Sequence, residues 1–132
     1  MVGIRRLDPD AVLAAVRQCF DYAPGEGRAT GYLYGDVDWP APFVELGPQL
    51  LDEFPATLVV FQAYRDGDAW CDWHADAMGQ TIVSLGATRL FLTDTASWSL
   101  AHGDVIVLEP GVPHCVPADP VVSGERVSLV FR

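Results

Sequence analysis

The sequence contains no lysine: all eight basic side chains are arginine, set against eighteen aspartates and glutamates, for a formal charge of −10 and an isoelectric point near 4.4. That balance argues against tight, sequence-independent binding to long nucleic acid, whose phosphates need clustered cationic side chains. Histidine is scarce, with only His74, His102 and His114. The cysteines, Cys19, Cys71 and Cys115, form no Cys-x-x-Cys pair and cannot all be cross-linked, which favours a reducing, cytoplasmic setting. No apolar run approaches the roughly 20 residues needed to cross a bilayer, no apolar signal core follows Arg5 and Arg6, and there is no repeat or low-complexity segment. At 132 residues the chain is expected to be one soluble domain with no membrane partner.

What is present divides at about residue 56. Asp8 is a good N-cap with Pro9 at the first helical position, and Val12, Leu13, Val16 and Phe20 recur on one face, predicting a helix that ends before Pro24-Gly25. Phe43, Leu46, Leu50, Leu51 and Phe54 predict a second helix closed by Pro55. Between them, Gly25 to Pro42 is rich in Gly and Pro yet carries Tyr32, Tyr34 and Trp39, and reads as a loop folded down as a lid or packed beneath one. From Thr57 the pattern changes to short β-type runs: Thr57–Tyr64, Trp70–His74, Thr81–Leu85, Arg89–Thr93, Trp98–Leu100, Asp104–Glu109 and Arg126–Phe131. Asp66-Gly67 and Pro110-Gly111 mark tight turns. The expected fold is mainly β, a jelly roll (double-stranded β-helix) with two N-terminal helices, 1–56 forming a helical and lid segment and 57–132 the core.

Within the core, His74-Ala75-Asp76 carries the chemistry. Residues i and i+2 of a strand share a face, so His74 and Asp76 can offer a nitrogen and an oxygen to one cation, and His114, 38 residues after Asp76, can complete the set. Two histidines and a carboxylate on one side of a metal leave positions open, the arrangement non-haem Fe(II) oxygenases use. The Arg126–Arg132 segment alternates strictly: Arg126, Ser128, Val130 and Arg132 face one way, Val127, Leu129 and Phe131 the other. Two inward guanidinium groups require an anion, because an unpaired buried charge is costly. Their Cα atoms are roughly 20 Å apart, too far to grip one carboxylate but suited to the two ends of a short diacid such as 2-oxoglutarate.

These residues give the chain a resemblance to the AlkB-like branch of the Fe(II)/2-oxoglutarate dioxygenases. Gly31-Tyr32-Leu33-Tyr34 with Trp39-Pro40-Ala41 looks like that family's lid segment; Gln62-Ala63-Tyr64 stands where the family has Asn-x-Tyr, ten residues before His74; Ser84-Leu85-Gly86 with Arg89-x-Phe91, Gly103-Asp104-Val105, His114-x-Val116-Pro117 and Arg126 to Arg132 follow in the family's order. The resemblance implies that His74, Asp76 and His114 bind Fe(II), that Arg126 with Tyr64 holds the distal carboxylate of 2-oxoglutarate, that Arg132 with Gln62 sits near its metal-chelating end, and that O2 is the oxidant. Ser128 stands in the same pocket where the family has Asn. Departures fall on the substrate side: Met78 replaces the acidic residue that meets a base amino group, and Gly25 replaces a tryptophan.

The resemblance therefore implies oxidative demethylation of an N-alkylated nucleobase in a short single-stranded or monomeric substrate, bound weakly, with Tyr32, Tyr34, Trp39 and Met78 as substrate contacts. Hydroxylation of a small molecule or protein side chain is the alternative within the class. Outside it, Gly103 to His114 resembles the second conserved stretch of cupins, jelly rolls that also serve as ligand-binding modules, although a cupin wants His-x-His where this chain has His74-Ala75-Asp76. Blander expectations accompany these: His102 as a turn histidine, Trp70 and Trp73 as core, Cys115 as a packed thiol, and Asp66, Asp68 and Asp72 as a solvated loop.

Overall fold

The structure, a computed structural model, describes residues 2–4, 7–19, 28–34 and 39–132, with the backbone alone for Val2 and for residues 28–34. Helix α1, Pro9–Cys19, starts as its sequence requires: the Asp8 carboxylate accepts the Asp10 N–H at 3.0 Å and the Asp8 carbonyl accepts the Val12 N–H at 3.2 Å. Its buried face is Val12, Leu13, Ala15 and Val16. A short 3-10 turn, Ala41–Phe43, leads to α2, Leu46–Glu53, which ends where Phe54 N–H meets the Leu50 carbonyl ahead of Pro55. Gly47 on α2 is a packing requirement: a Cβ there would lie 2.3 Å from the Trp39 ring.

Among the described residues, ten strands form two sheets. They are β1 (Val2–Gly3), β2 (Arg28–Tyr34), β3 (Leu58–Tyr64), β4 (Cys71–His74), β5 (Gln80–Gly86), β6 (Arg89–Thr93), β7 (Ser97–Leu100), β8 (Asp104–Leu108), β9 (His114–Val116) and β10 (Arg126–Phe131). The larger sheet has the order β1-β8-β5-β10-β3-β2 and the smaller β4-β9-β6-β7. From β3 to β10 the chain passes back and forth between the sheets, as a jelly roll does. The expected fold class is the one found: a mainly antiparallel β jelly roll with two helices.

Alternation along β3, β5 and β10 creates the two interiors. Val59, Phe61, Ala63, Val83, Leu85, Val127, Leu129 and Phe131 pack against α1, Phe43 and Leu50 on one face of the large sheet. Val60, Tyr64, Ile82 and Val130 meet Cys71, Phe91, Leu100 and Val116 between the sheets. Because both faces of β10 are covered, all six of its residues are buried. Truncating Leu129, with no exposed surface, would cost about 3 kcal/mol through lost transfer energy and the cavity left behind.

The structure corrects the expectations at several points. Residues 28–34 are a strand paired along their whole length with β3, so the lid segment is in large part an extension of the sheet. At the N-terminal end, β1 pairs with β8 at the edge of the same sheet. Trp70 and Trp73 are more than half exposed instead of core. No helix among the described residues is long and apolar enough to cross a membrane.

Candidate metal centre

The triad assembles where two strands of the smaller sheet meet. His74 ends β4 and His114 begins β9, and the two are register partners. Each imidazole donates from Nδ1 to the carbonyl two residues before it, His74 to Asp72 and His114 to Val112, both at 2.8 Å. With the proton placed on Nδ1, the lone pair of each Nε2 faces Asp76, the orientation that backbone carbonyls impose on metal-binding histidines. Asp76 Oδ2 lies 3.7 Å from His74 Nε2 and 3.4 Å from His114 Nε2.

These atoms fit a cation. Two donors on one ion at bond lengths of about 2.0–2.2 Å lie roughly 2.8–3.6 Å apart for angles between a right angle and the tetrahedral value. The two measured separations sit within and just beyond that range, and one ligand atom from each residue lies within 4.8 Å of the others. The donor set of two imidazoles and one carboxylate suits a first-row divalent metal. Phe91 stacks on His114 at 5.7 Å and 16°, and burial lowers the His114 pKa, so the imidazole stays neutral and able to ligate. His102 takes no part: its Nδ1 accepts the Gly86 N–H and its Nε2 meets Asp10 at 2.7 Å, so it is the expected turn histidine.

Arg132 and Arg126 have different fates, which corrects the idea that both await one diacid. Arg132 already has an anion, its Nη2 lying 3.4 Å from Asp76 Oδ1, while its Nε donates to Gln80 Oε1 at 3.0 Å. Arg126 has none among the described residues. It is 1% exposed, its Nε donates to Ser84 Oγ at 3.0 Å, and its Nη2 has no hydrogen-bond partner among those residues. Burial lowers its pKa, Tyr64 opposes that shift through charge and a side-chain hydrogen bond, and the Arg89 charge adds to it. Arg89, equally buried, donates from Nη1 and Nη2 to the carbonyls of Asp66, Ala69 and Pro117 at 2.7–3.0 Å, and among the described residues only its Nε lacks a partner.

A narrow cleft, partly open to solvent, joins the triad to Arg126. Gln62, Tyr64, Ser128 and Arg132 line it, as expected, and Tyr64 Oη donates to Gln62 Oε1 at 3.3 Å. Trp39 is a correction: it stacks on Phe43 at 5.9 Å on the helix side of the large sheet, because Gly47 leaves room for its ring there. Met78 is exposed in the loop between β4 and β5 and does not line the cleft. The side chains of Tyr32 and Tyr34, and the whole of Gly25, lie outside the described residues.

Two contributors were not anticipated. Ser84 orients Arg126, and Gln80 binds Asp76 Oδ2 at 2.9 Å. Alternation would have found Gln80, which shares a face with Ile82 and Ser84, had the strand been started one residue earlier than Thr81.

By sequence, the chain matches no known family and no curated relative. Solved structures do resemble it. A cupin-like protein from Thermotoga maritima, 21% identical, superposes with a TM-score of 0.51 over 78% of this chain and 65% of that one. A cupin 2 conserved barrel domain protein from Rhodopseudomonas palustris, 11% identical, gives 0.53 over 85% and 68%. The DMSP lyase DddQ from Ruegeria pomeroyi is 16% identical with a TM-score of 0.49, and this chain covers 37% of its length. Identities this low speak to architecture alone: the chain shares a jelly-roll fold with these two barrel proteins.

Proposed function

We propose that this protein is an Fe(II)- and 2-oxoglutarate-dependent oxygenase. The observation that carries the reading is Arg126, a buried guanidinium whose Nη2 has no partner among the described residues, at one end of a cleft whose other end is a His-Asp-His cluster. A buried cation lacking a counter-ion is costly, and a bound carboxylate removes that cost with a bidentate pair. A molecule with a carboxylate at one end and a metal-chelating group at the other satisfies both ends of the cleft, and 2-oxoglutarate is such a molecule.

His74, Asp76 and His114 would hold Fe(II), which when bound supplies the open positions at which a 2-oxo acid and O2 can meet. The rest belongs to the chain. Arg126, fixed by Ser84 and lying over the Tyr64 ring, would neutralise the distal carboxylate, and Ser128 and Gln62 flank it. Arg132 and Gln80 hold the two oxygens of Asp76. Ile82, Phe91, Val116 and Val130 give the cleft apolar walls that limit water. In the overall reaction 2-oxoglutarate, O2 and a substrate C–H yield succinate, CO2 and the C–OH product; an N-methyl substrate would then release formaldehyde.

The substrate we favour is an N-alkylated nucleobase in a short single-stranded or monomeric form, since the −10 charge disfavours long duplexes. Hydroxylation of a small molecule or protein side chain uses the same centre. A second reading, a cupin-like metal-dependent or non-catalytic module that binds a small carboxylate, draws on the likeness to the cupin barrels. Fe(II)-loaded protein mixed anaerobically with 2-oxoglutarate and then given O2 separates them. Succinate release that Asp76→Ala abolishes is expected, whereas 2-oxoglutarate binding without succinate from any substrate class leaves only the binding module.

A further inference from the structure

Gln80 is 5% exposed, and its amide is fully committed. Arg132 Nε can only donate, so the oxygen that meets it at 3.0 Å is Oε1. The amide nitrogen then faces two acceptors, Asp76 Oδ2 at 2.9 Å and His114 Nε2 at 3.4 Å. His114 Nε2 is an acceptor because its Nδ1 proton is given to Val112. The amide N–H₂ group thus faces two of the three candidate ligand atoms. Its protons provide, as partial positive charge, what a cation would provide in full.

We propose that Gln80 is a positioning residue that stands in for the cation before loading and tunes the centre after it. This rests on the metal reading above. Without Gln80, the Asp76 carboxylate and the His114 lone pair face each other at 3.4 Å with nothing positive between them on that side. With it, both stay aimed at one point. A cation bound at His114 Nε2 takes the lone pair that Gln80 uses, so loading breaks that single hydrogen bond. The bonds to Asp76 and Arg132 survive and keep Oδ2 from rotating away. Outer partners of this kind set metal affinity by about ten- to a hundredfold.

The sequence of β5 makes the role specific. Glutamate in this place would keep an oxygen for Arg132 but turn the second oxygen toward Asp76 and His114. That arrangement repels Asp76 when no cation is present and adds a ligand when one is.

The test is Co(II) titration of the metal-free protein, read by visible absorption, for the wild type, Gln80→Leu and Gln80→Glu, with thermal unfolding of each to establish that it folds. Gln80→Leu is expected to weaken Co(II) binding ten- to a hundredfold. Gln80→Glu is expected to tighten it, to change the band positions as a further oxygen enters the coordination shell, and to unfold at lower temperature when metal-free. Should Gln80→Leu not fold, Gln80→Glu carries the test alone. Wild-type binding with the same affinity and spectrum in the folded variants overturns the role of Gln80 and leaves the metal centre standing. A wild type that binds no Co(II) overturns both.

Discussion

The guanidinium carbon of Arg126 lies 5.2 Å from the centre of the Tyr64 ring, and no carboxylate among the described residues is close enough to pair with it. A cation–π contact of this kind is worth about 1–2 kcal/mol when desolvated, less than the cost of burying the charge. On the proposed reading, a bound anion would restore stability that the site holds back.

The first prediction follows. Arg126→Met should raise the unfolding free energy of the ligand-free protein by about 1–3 kcal/mol, since an apolar side chain of similar reach replaces an unpaired charge. It should also weaken 2-oxoglutarate binding about a hundredfold. At a hundred times the dissociation constant, 2-oxoglutarate should stabilise the wild type by about 2.7 kcal/mol and leave the variant nearly unmoved. Thermal scans with and without the diacid read both effects, and an equal rise in both proteins removes Arg126 from the anion site.

Arg89→Met should do the reverse. Its guanidinium donates to three carbonyls, so its loss leaves acceptors on the Asp66–Ala69 loop and at Pro117 unmet. The expected cost is about 3 kcal/mol or more, with Co(II) affinity unchanged at temperatures where the variant is folded. A destabilisation below 1 kcal/mol by urea unfolding contradicts this account.

Acid should weaken the metal-free protein through His114. Burial lowers its folded pKa below the ordinary histidine value, so below about pH 6.5 the unfolded chain binds a proton that the folded one resists. Stability should be level above that pH, fall as pH drops through it, and level off below the folded pKa. His114→Gln should flatten that part of the profile, as seen in unfolding midpoints between pH 5 and 8.

If the substrate is a methylated base, affinity for oligonucleotides should be weak and should fade steeply with salt, because eight arginines, with Arg89 and Arg126 buried, face eighteen acidic residues. Formaldehyde release from N-methylated nucleosides and short oligonucleotides, compared across ionic strengths, checks this. Succinate formation with another substrate class and none with any methylated base selects the small-molecule or side-chain hydroxylase.

Much of this was legible where a local period governs. The two-residue repeat of Arg126 to Phe131 put the right side chains on each face, since a half-covered strand and a fully covered one share that alternation. His74, Asp76 and His114 were legible because so few histidines compete. What failed was whatever depended on a distant surface. The glycine-bearing strand 28–34 looks like a loop until its pairing with β3 is known. Trp39 looked like a lid aromatic until α2, through Gly47, offered it a seat. The partner of Arg132 could not be read from its own strand, because Asp76 and Gln80 arrive from β4's far loop and from β5.

Strand β10 is locked on both flanks, residue for residue, by β3 on one side and β5 on the other. A slip of one position would turn every arginine away from the cleft, so the strand cannot creep. It acts as a fixed gauge. If Arg126 is the anion hook proposed above, its reach to the triad end near Arg132 is set by the number of peptide units between them, and side-chain changes at the mouth cannot recalibrate it. On that reading, a taste for a longer or shorter diacid would require a different rung of the ladder to carry the hook, whereas a substrate entering from outside could change without touching the gauge.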